Sequence, residues 1–126
     1  MDAVKKRSVN RRMIGNAAED EAARFLERHH YKILTRNYRS HFGEIDIIAK
    51  DRTHTVFVEV KSRGTSLFGS PQDSVVSRKR RRITLTAIDY IQRNRLEGRP
   101  VRFDVIAINP DSSVELIKNA FDAEYR

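Results

Sequence analysis

Apolar positions change their spacing several times along the chain, and each change marks an element. Ala18, Ala22, Phe25 and Leu26 recur at helical intervals and predict a first helix over residues 15–28. Strand periodicity follows at 32–38, 44–50 and 55–61, where Val56, Val58 and Val60 make one wholly apolar face. Residues 62–74 hold Gly64, Gly69, Pro71 and several serines, the composition of a loop. A second helix is predicted over 77–95, burying Ile83, Ala87, Ile88 and Ile91, with Gly98 and Pro100 beyond its end. Phe103, Val105 and Ala107 alternate against Asp104 and Ile106 in a strand over 101–108, and residues 113–118 add an edge strand. The order is α-β-β-β-α-β-β, in one domain without internal repeats.

The second and third strands also carry the candidate chemistry. Asp46 lies in the strand 44–50, and after twelve residues Glu59-Val60-Lys61 closes the next strand. Residues two apart share a face, so Glu59 and Lys61 project together on a polar face that Phe57 begins. By the same rule Asp46 shares a face with Glu44 and Ile48, while Ile45, Ile47 and Ala49 take the other. The short connection Asp51-Arg52-Thr53-His54 favours antiparallel pairing, which can set Asp46 beside Glu59. Two carboxylates and an ammonium at one point suit a divalent cation and a phosphodiester: oxygen ligands hold a hard metal, and a lysine orients water or stabilises developing charge. The plainer reading of Glu-x-Lys alone is a cross-strand charge pair on a solvated face. Asp46, embedded in apolar strand residues, moves the balance toward a site.

With these residues in view the chain resembles the PD-(D/E)xK nuclease superfamily, and specifically the YraN-type bacterial proteins related to archaeal Holliday-junction resolvases. The resemblance rests on Gly43-Glu44-Ile45-Asp46-x12-Glu59-Val60-Lys61, on Gly15-x-x-x-Glu19-x-x-Ala22, and on Asn37-Tyr38-Arg39. Lys79, Arg102-Phe103-Asp104-Val105 and Asn119-Ala120-Phe121 complete it. Ile45 stands where the superfamily name has proline. The resemblance implies a restriction-endonuclease-like fold, α/β with a mixed sheet flanked by helices, over residues 14–126. It implies Mg2+ or Mn2+ held by Asp46 and Glu59, with Lys61 as the catalytic lysine. Glu19 matches the extra acid that resolvase-like members present from the first helix, which the resemblance makes a third catalytic and metal-ligating acid; on spacing alone it reads as an exposed helix acid. The activity implied is metal-dependent hydrolysis of nucleic acid phosphodiesters, with structured or branched DNA as substrate and DNA ahead of RNA. The alternative is a binding module of the same fold that does no chemistry.

Charge sharpens this picture. The 126 residues carry a formal net charge of +8, which points to a polyanionic partner. Lys5-Lys6-Arg7 and Arg11-Arg12 make residues 1–13 a basic tail expected to be flexible, with a merely solubilising terminus as the plainer account. Arg78-Lys79-Arg80-Arg81-Arg82 opens the second helix, where the helix dipole already disfavours cations. That placement makes sense if phosphates are met there. Arg63 joins these five as a candidate nucleic-acid contact. Backbone contacts carry no sequence information, so specificity is expected for shape. An interaction protein whose basic surface meets an acidic protein or a membrane face is the third class. The chain has no cysteine, which removes thiolate catalysis and thiolate metal sites. His29, His30, His41 and His54 show no zinc-type spacing. No apolar stretch reaches membrane-spanning length and no secretory h-region opens the chain, so a cytoplasmic protein is expected. Cutting a symmetric junction would call for a twofold homodimer. Asp104, an acid in an apolar setting, is read as structural and paired with an arginine.

Overall fold

The computed structural model describes residues 17–62 and 77–123. The elements are a helix α1 over residues 17–28, then β1 (Lys32–Arg39), β2 (Glu44–Lys50) and β3 (Thr55–Ser62). They continue with α2 (Ser77–Arg93), β4 (Val101–Ile108) and β5 (Val114–Ile117). One five-stranded sheet has the order β1-β2-β3-β4-β5; only the β3–β4 pair is parallel, and α2 lies in the connection between those two strands. This α/β architecture is consistent with a restriction-endonuclease-like fold. The basic tail 1–13 and Arg63 lie outside the described residues. Among the described residues no helix is long and apolar enough to cross a membrane.

The two helices cover opposite faces of the sheet, so the core is split in two. Ala22, Ala23 and Leu26 of α1 pack on Ile47, Ala49, Val56, Val58 and Ile106. Ile83, Ala87 and Tyr90 of α2 pack on Ile45, Ile48, Phe57, Phe103 and Val105, joined by Phe121. Strands buried on both faces read as apolar runs rather than alternations, which is why β3 and β4 lack a solvated side over most of their length. Phe57 accordingly does not begin a polar face: it is 1% exposed and sits under α2. The face it shares with Glu59 is core first and site second.

The alternation along β2 also breaks. Ile45 packs toward α2, Ile47 toward α1 and Ile48 toward α2 again, so residues 45 and 47 lie on opposite faces despite being two apart. The β2–β3 ladder runs only from Lys50↔Thr55 to Ile47↔Val58. Beyond it β2 leaves β3, and Asp46 sits at the departure.

Both helices end alike. His30 (φ 69°) and Arg95 (φ 55°) take the left-handed conformation after the last turn. The Tyr31 N–H donates to the Leu26 carbonyl at 2.9 Å and the Leu96 N–H to the Ile91 carbonyl at 2.9 Å, the 6→1 bond of a Schellman cap. Each bond joins two residues that pack in one core cluster, so the cap tucks Tyr31 and Leu96 inward. Glycine holds this conformation without the Cβ cost. Arg95→Gly is therefore expected to stabilise the fold by about 0.5–1 kcal/mol, read as a raised midpoint in urea with unchanged slope.

Candidate active site

Asp46 and Glu59 come together where β2 parts from β3. They are not a ladder pair. Released from the ladder, the Asp46 carboxylate turns to accept the Val60 N–H at 2.8 Å. Glu59 stays in the continuous β3–β4 register, is 8% exposed, and faces α2. Burial, reinforced by the nearby charge of Glu59, pushes the Asp46 carboxyl up to about 7; the Val60 N–H and Lys79 pull the other way without cancelling it. The pair is thus short of positive charge when both acids are ionised.

Part of the compensation comes from a residue whose sequence context points elsewhere. Lys79, in the first turn of α2, reaches down so that its Nζ lies 2.6 Å from Glu59 Oε1. In the sequence it is one of five successive cations and reads as a phosphate contact. Nothing local announces a contact twenty residues back; only the Phe57–Glu59 face lying under α2 would have.

Glu19 approaches from the α1 side, and its charge also raises Asp46. It is held by β1: Asn37 Nδ2 donates to Glu19 Oε1 at 2.9 Å and to Glu44 Oε1 at 3.1 Å, and Arg36 Nη2 lies 3.8 Å from Glu19. Asn37 has φ 54°, which turns its amide out of the edge-strand pleat and toward both acids. Asn37 is a positioning residue that periodicity does not single out, although Asn in a strand is itself the signal for a left-handed residue.

Lys61 follows Glu59 by two residues in an unbroken ladder, on the same face, and is exposed. The five cations of α2 divide by environment. Arg78, Arg81 and Arg82 are exposed, Lys79 is engaged by Glu59, and the Arg80 guanidinium lies 5.8 Å from the centre of the Phe121 ring. No acid stands in the first turn of this helix to offset them.

The donor set fits a hard divalent cation in kind: oxygen ligands only, two of them carboxylates that repel each other in a buried setting. Among the described residues no three His, Asp or Glu side chains are gathered closely enough to hold a metal ion. A cation on Asp46 and Glu59 would therefore complete its shell with water, backbone oxygen or substrate.

The far end of the sheet holds a different cluster. Arg102 Nε and Nη2 grip both oxygens of Asp104 at 2.9 Å each, Nη1 reaches Asp51 at 2.9 Å, and Nη2 reaches the Tyr31 hydroxyl at 2.8 Å. Asp104 also accepts the Asn119 N–H at 2.9 Å. Every partner is structural, and Asp104 is paired with an arginine as expected.

A small α/β domain with a mixed sheet and paired acids at a strand departure is the class that fold and site define. Residues 18–108 match the model of Uncharacterised protein family UPF0102. A UPF0102 protein of Desulfosudis oleivorans is 49% identical over 114 residues, covering 90% of this chain and 93% of the relative. Those of Persephonella marina and Lachnoclostridium phytofermentans are 45% and 47% identical, covering 95% and 98% of the relatives. The chain belongs to the UPF0102 family.

Proposed function

We propose that this chain is a metal-dependent nuclease of PD-(D/E)xK type, hydrolysing phosphodiester bonds in structured or branched DNA. The observation that carries the reading is the buried Asp46–Glu59 pair, charge-deficient and set beside the arginine-rich start of α2. Asp104 has both oxygens gripped by Arg102, whereas among the described residues Asp46 accepts a backbone N–H and lies beside a second acid; a buried acid so placed is the mark of a site.

Asp46 and Glu59 would hold Mg2+ or Mn2+, with Glu19 adding negative charge from the α1 side. A cation bound there supplies Lewis acidity toward a phosphoryl oxygen and toward water. The protein's own groups do the rest. The Val60 N–H fixes one Asp46 oxygen, so the other is free to face a ligand. Lys61, exposed two residues beyond Glu59, is placed to orient the attacking water and to meet charge that develops on the phosphate. Lys79 holds Glu59 in place while no cation is bound. Arg78, Arg81 and Arg82 take backbone phosphates, and a twofold pair of chains would present two such sites to two strands.

The phosphate-binding role yields a separate expectation. Replacing Arg78, Arg81 and Arg82 with glutamine should weaken binding to every DNA sequence alike, and flatten log K against log salt by about 0.9 for each phosphate no longer neutralised. Arg80 is left out of the variant because of its place against Phe121. Fluorescence anisotropy across a salt series is the check.

The Lys79–Glu59 contact favours a second reading, a binding module in which the lysine has taken the cation's place for good. The two readings part in one experiment. Labelled single-stranded, duplex, flap and four-way-junction DNA are incubated with purified protein in Mg2+, Mn2+ or chelator. A nuclease cuts at least one substrate with metal and none with chelator, and Lys61→Ala binds normally yet does not cut. A binding module cuts nothing.

A further inference from the structure

The turn between β1 and β2 presents an aromatic ring to solvent beside the site. Phe42 is 46% exposed, one of two large apolar side chains so exposed among the described residues. A single exposed phenyl ring needs no explanation in itself. What sets this one apart is how firmly its turn is held and what lies next to it.

The Ser40 N–H donates to the Gly43 carbonyl at 2.8 Å, and the Phe42 N–H donates to Ser40 Oγ at 3.0 Å. The same Ser40 hydroxyl bonds the Thr86 hydroxyl at 2.9 Å, which pins the turn to α2. Gly43 completes the seam: a Cβ there would stand 3.5 Å from Arg82 Cβ and 3.6 Å from Thr86 Oγ1, so the turn backbone lies directly on the helix. His41 stacks edge-to-face with Phe42, ring centres 5.7 Å apart. The ring is therefore exposed on a fixed mount.

Next to it opens a groove of about 310 Å³ lined by Gly43, Glu44, Arg78, Lys79, Arg82 and Ile83. Three of these six are cations, and the groove reaches the site through Lys79, which touches Glu59. At the low end of the size range for ligand sites, it has room for one nucleotide rather than a duplex.

We propose that Phe42 is a stacking platform for one unpaired base, with the flanking phosphates on Arg78 and Arg82 and the strand leading along the groove to Asp46 and Glu59. A base has two π-faces and no obligatory sequence, so an aromatic ring beside cations captures unpaired nucleotides of any kind. In duplex DNA the same faces are buried in the stack and Phe42 has nothing to hold. The platform rests on the nuclease reading and narrows it: the substrate class is DNA with unpaired nucleotides at forks, flaps or junctions.

The test is binding without cleavage. Anisotropy in chelator compares wild type, Phe42→Ala and Phe42→Tyr on a single strand, a forked duplex and a blunt duplex of one sequence. Phe42→Ala should weaken single-strand and fork binding by roughly tenfold and blunt-duplex binding by under about twofold, with Phe42→Tyr close to wild type. Wild type, and not Phe42→Ala, should also change the fluorescence of a 2-aminopurine placed at the unpaired position. Equal losses on all three substrates, or none, overturn the platform. So does a Phe42→Ala effect on self-association alone, which would make the ring a protein contact. The outcomes separate from those of the nuclease reading. A wild type that binds forks through Phe42 and cuts nothing keeps the platform and ends the cleavage reading. A wild type that cuts while Phe42→Ala leaves the fork-to-duplex ratio unchanged does the reverse.

Discussion

The Asp46→Asn protein is expected to be more stable than wild type at pH 8 in the absence of metal, and inert as a nuclease. The asparagine oxygen can still accept the Val60 N–H, so the hydrogen bond made by this side chain survives. What disappears is a buried negative charge beside Glu59. The sign follows from the folded-state carboxyl lying at about 7, above its ordinary value of 3.8. The fold favours the protonated form, so wild-type stability from this group is full below pH about 4, falls as pH rises toward about 7, and is flat beyond. The variant lacks that slope. The two should coincide near pH 4 and separate by up to about 4 kcal/mol at pH 8, with the variant the more stable. Metal-dependent cleavage should fall by roughly a thousandfold or more, since a ligand is removed. Urea unfolding from pH 4 to 8 in chelator, alongside the cleavage assay, reads both. A variant less stable than wild type at pH 8 would mean that Asp46 is held by partners rather than strained by a neighbour.

Arg102→Ala carries the largest expected loss of stability. Among the described residues it would leave Asp104, 0% exposed, with the Asn119 N–H as its remaining donor, and would strip partners from Asp51 and Tyr31. Removing one partner of a buried ion pair costs about 3–5 kcal/mol, a large share of a small domain's stability. Arg102→Lys should recover part of this, because an ammonium keeps the charge but cannot span both Asp104 oxygens. The site at the other end of the sheet should keep its metal and DNA affinity in whatever fraction remains folded. Thermal melts of the three proteins decide the order.

Most of the sheet could be read from periodicity, because strand bounds depend on local patterns. The expected strands 44–50 and 101–108 match β2 and β4, and α2 begins at Ser77 as expected. Its end falls at Arg93 rather than 95, because a capped terminus with arginine in the glycine position gives no compositional signal. The misread faces have two causes. A period of two holds only while the pleat is continuous, and β2 breaks it at Asp46, the residue that needs a direction its ladder would not give. Phe57 misled for another reason: a strand covered on both sides has no polar face for periodicity to find. Contacts across the fold, Lys79 to Glu59 and Asn37 to Glu19, were outside any pattern local in sequence. Asp46, Glu59 and Lys61 were legible as types at a spacing, while Glu19, an exposed helix acid on spacing alone, came from the resemblance. The break in β2, the face under α2 and the anchored Phe42 required the folded chain.

The nuclease reading turns on Asp46 and Glu59 holding a divalent cation, and calorimetric titration with Mn2+ tests this most directly. Wild type at pH 8 should bind one Mn2+ per chain, with affinity that falls as the pH is lowered through about 7 and Asp46 takes up its proton. Asp46→Asn and Glu59→Gln should each bind at least about tenfold more weakly. Equal binding by wild type and both variants, or no binding by wild type, would contradict the proposed cation site and the nuclease reading with it.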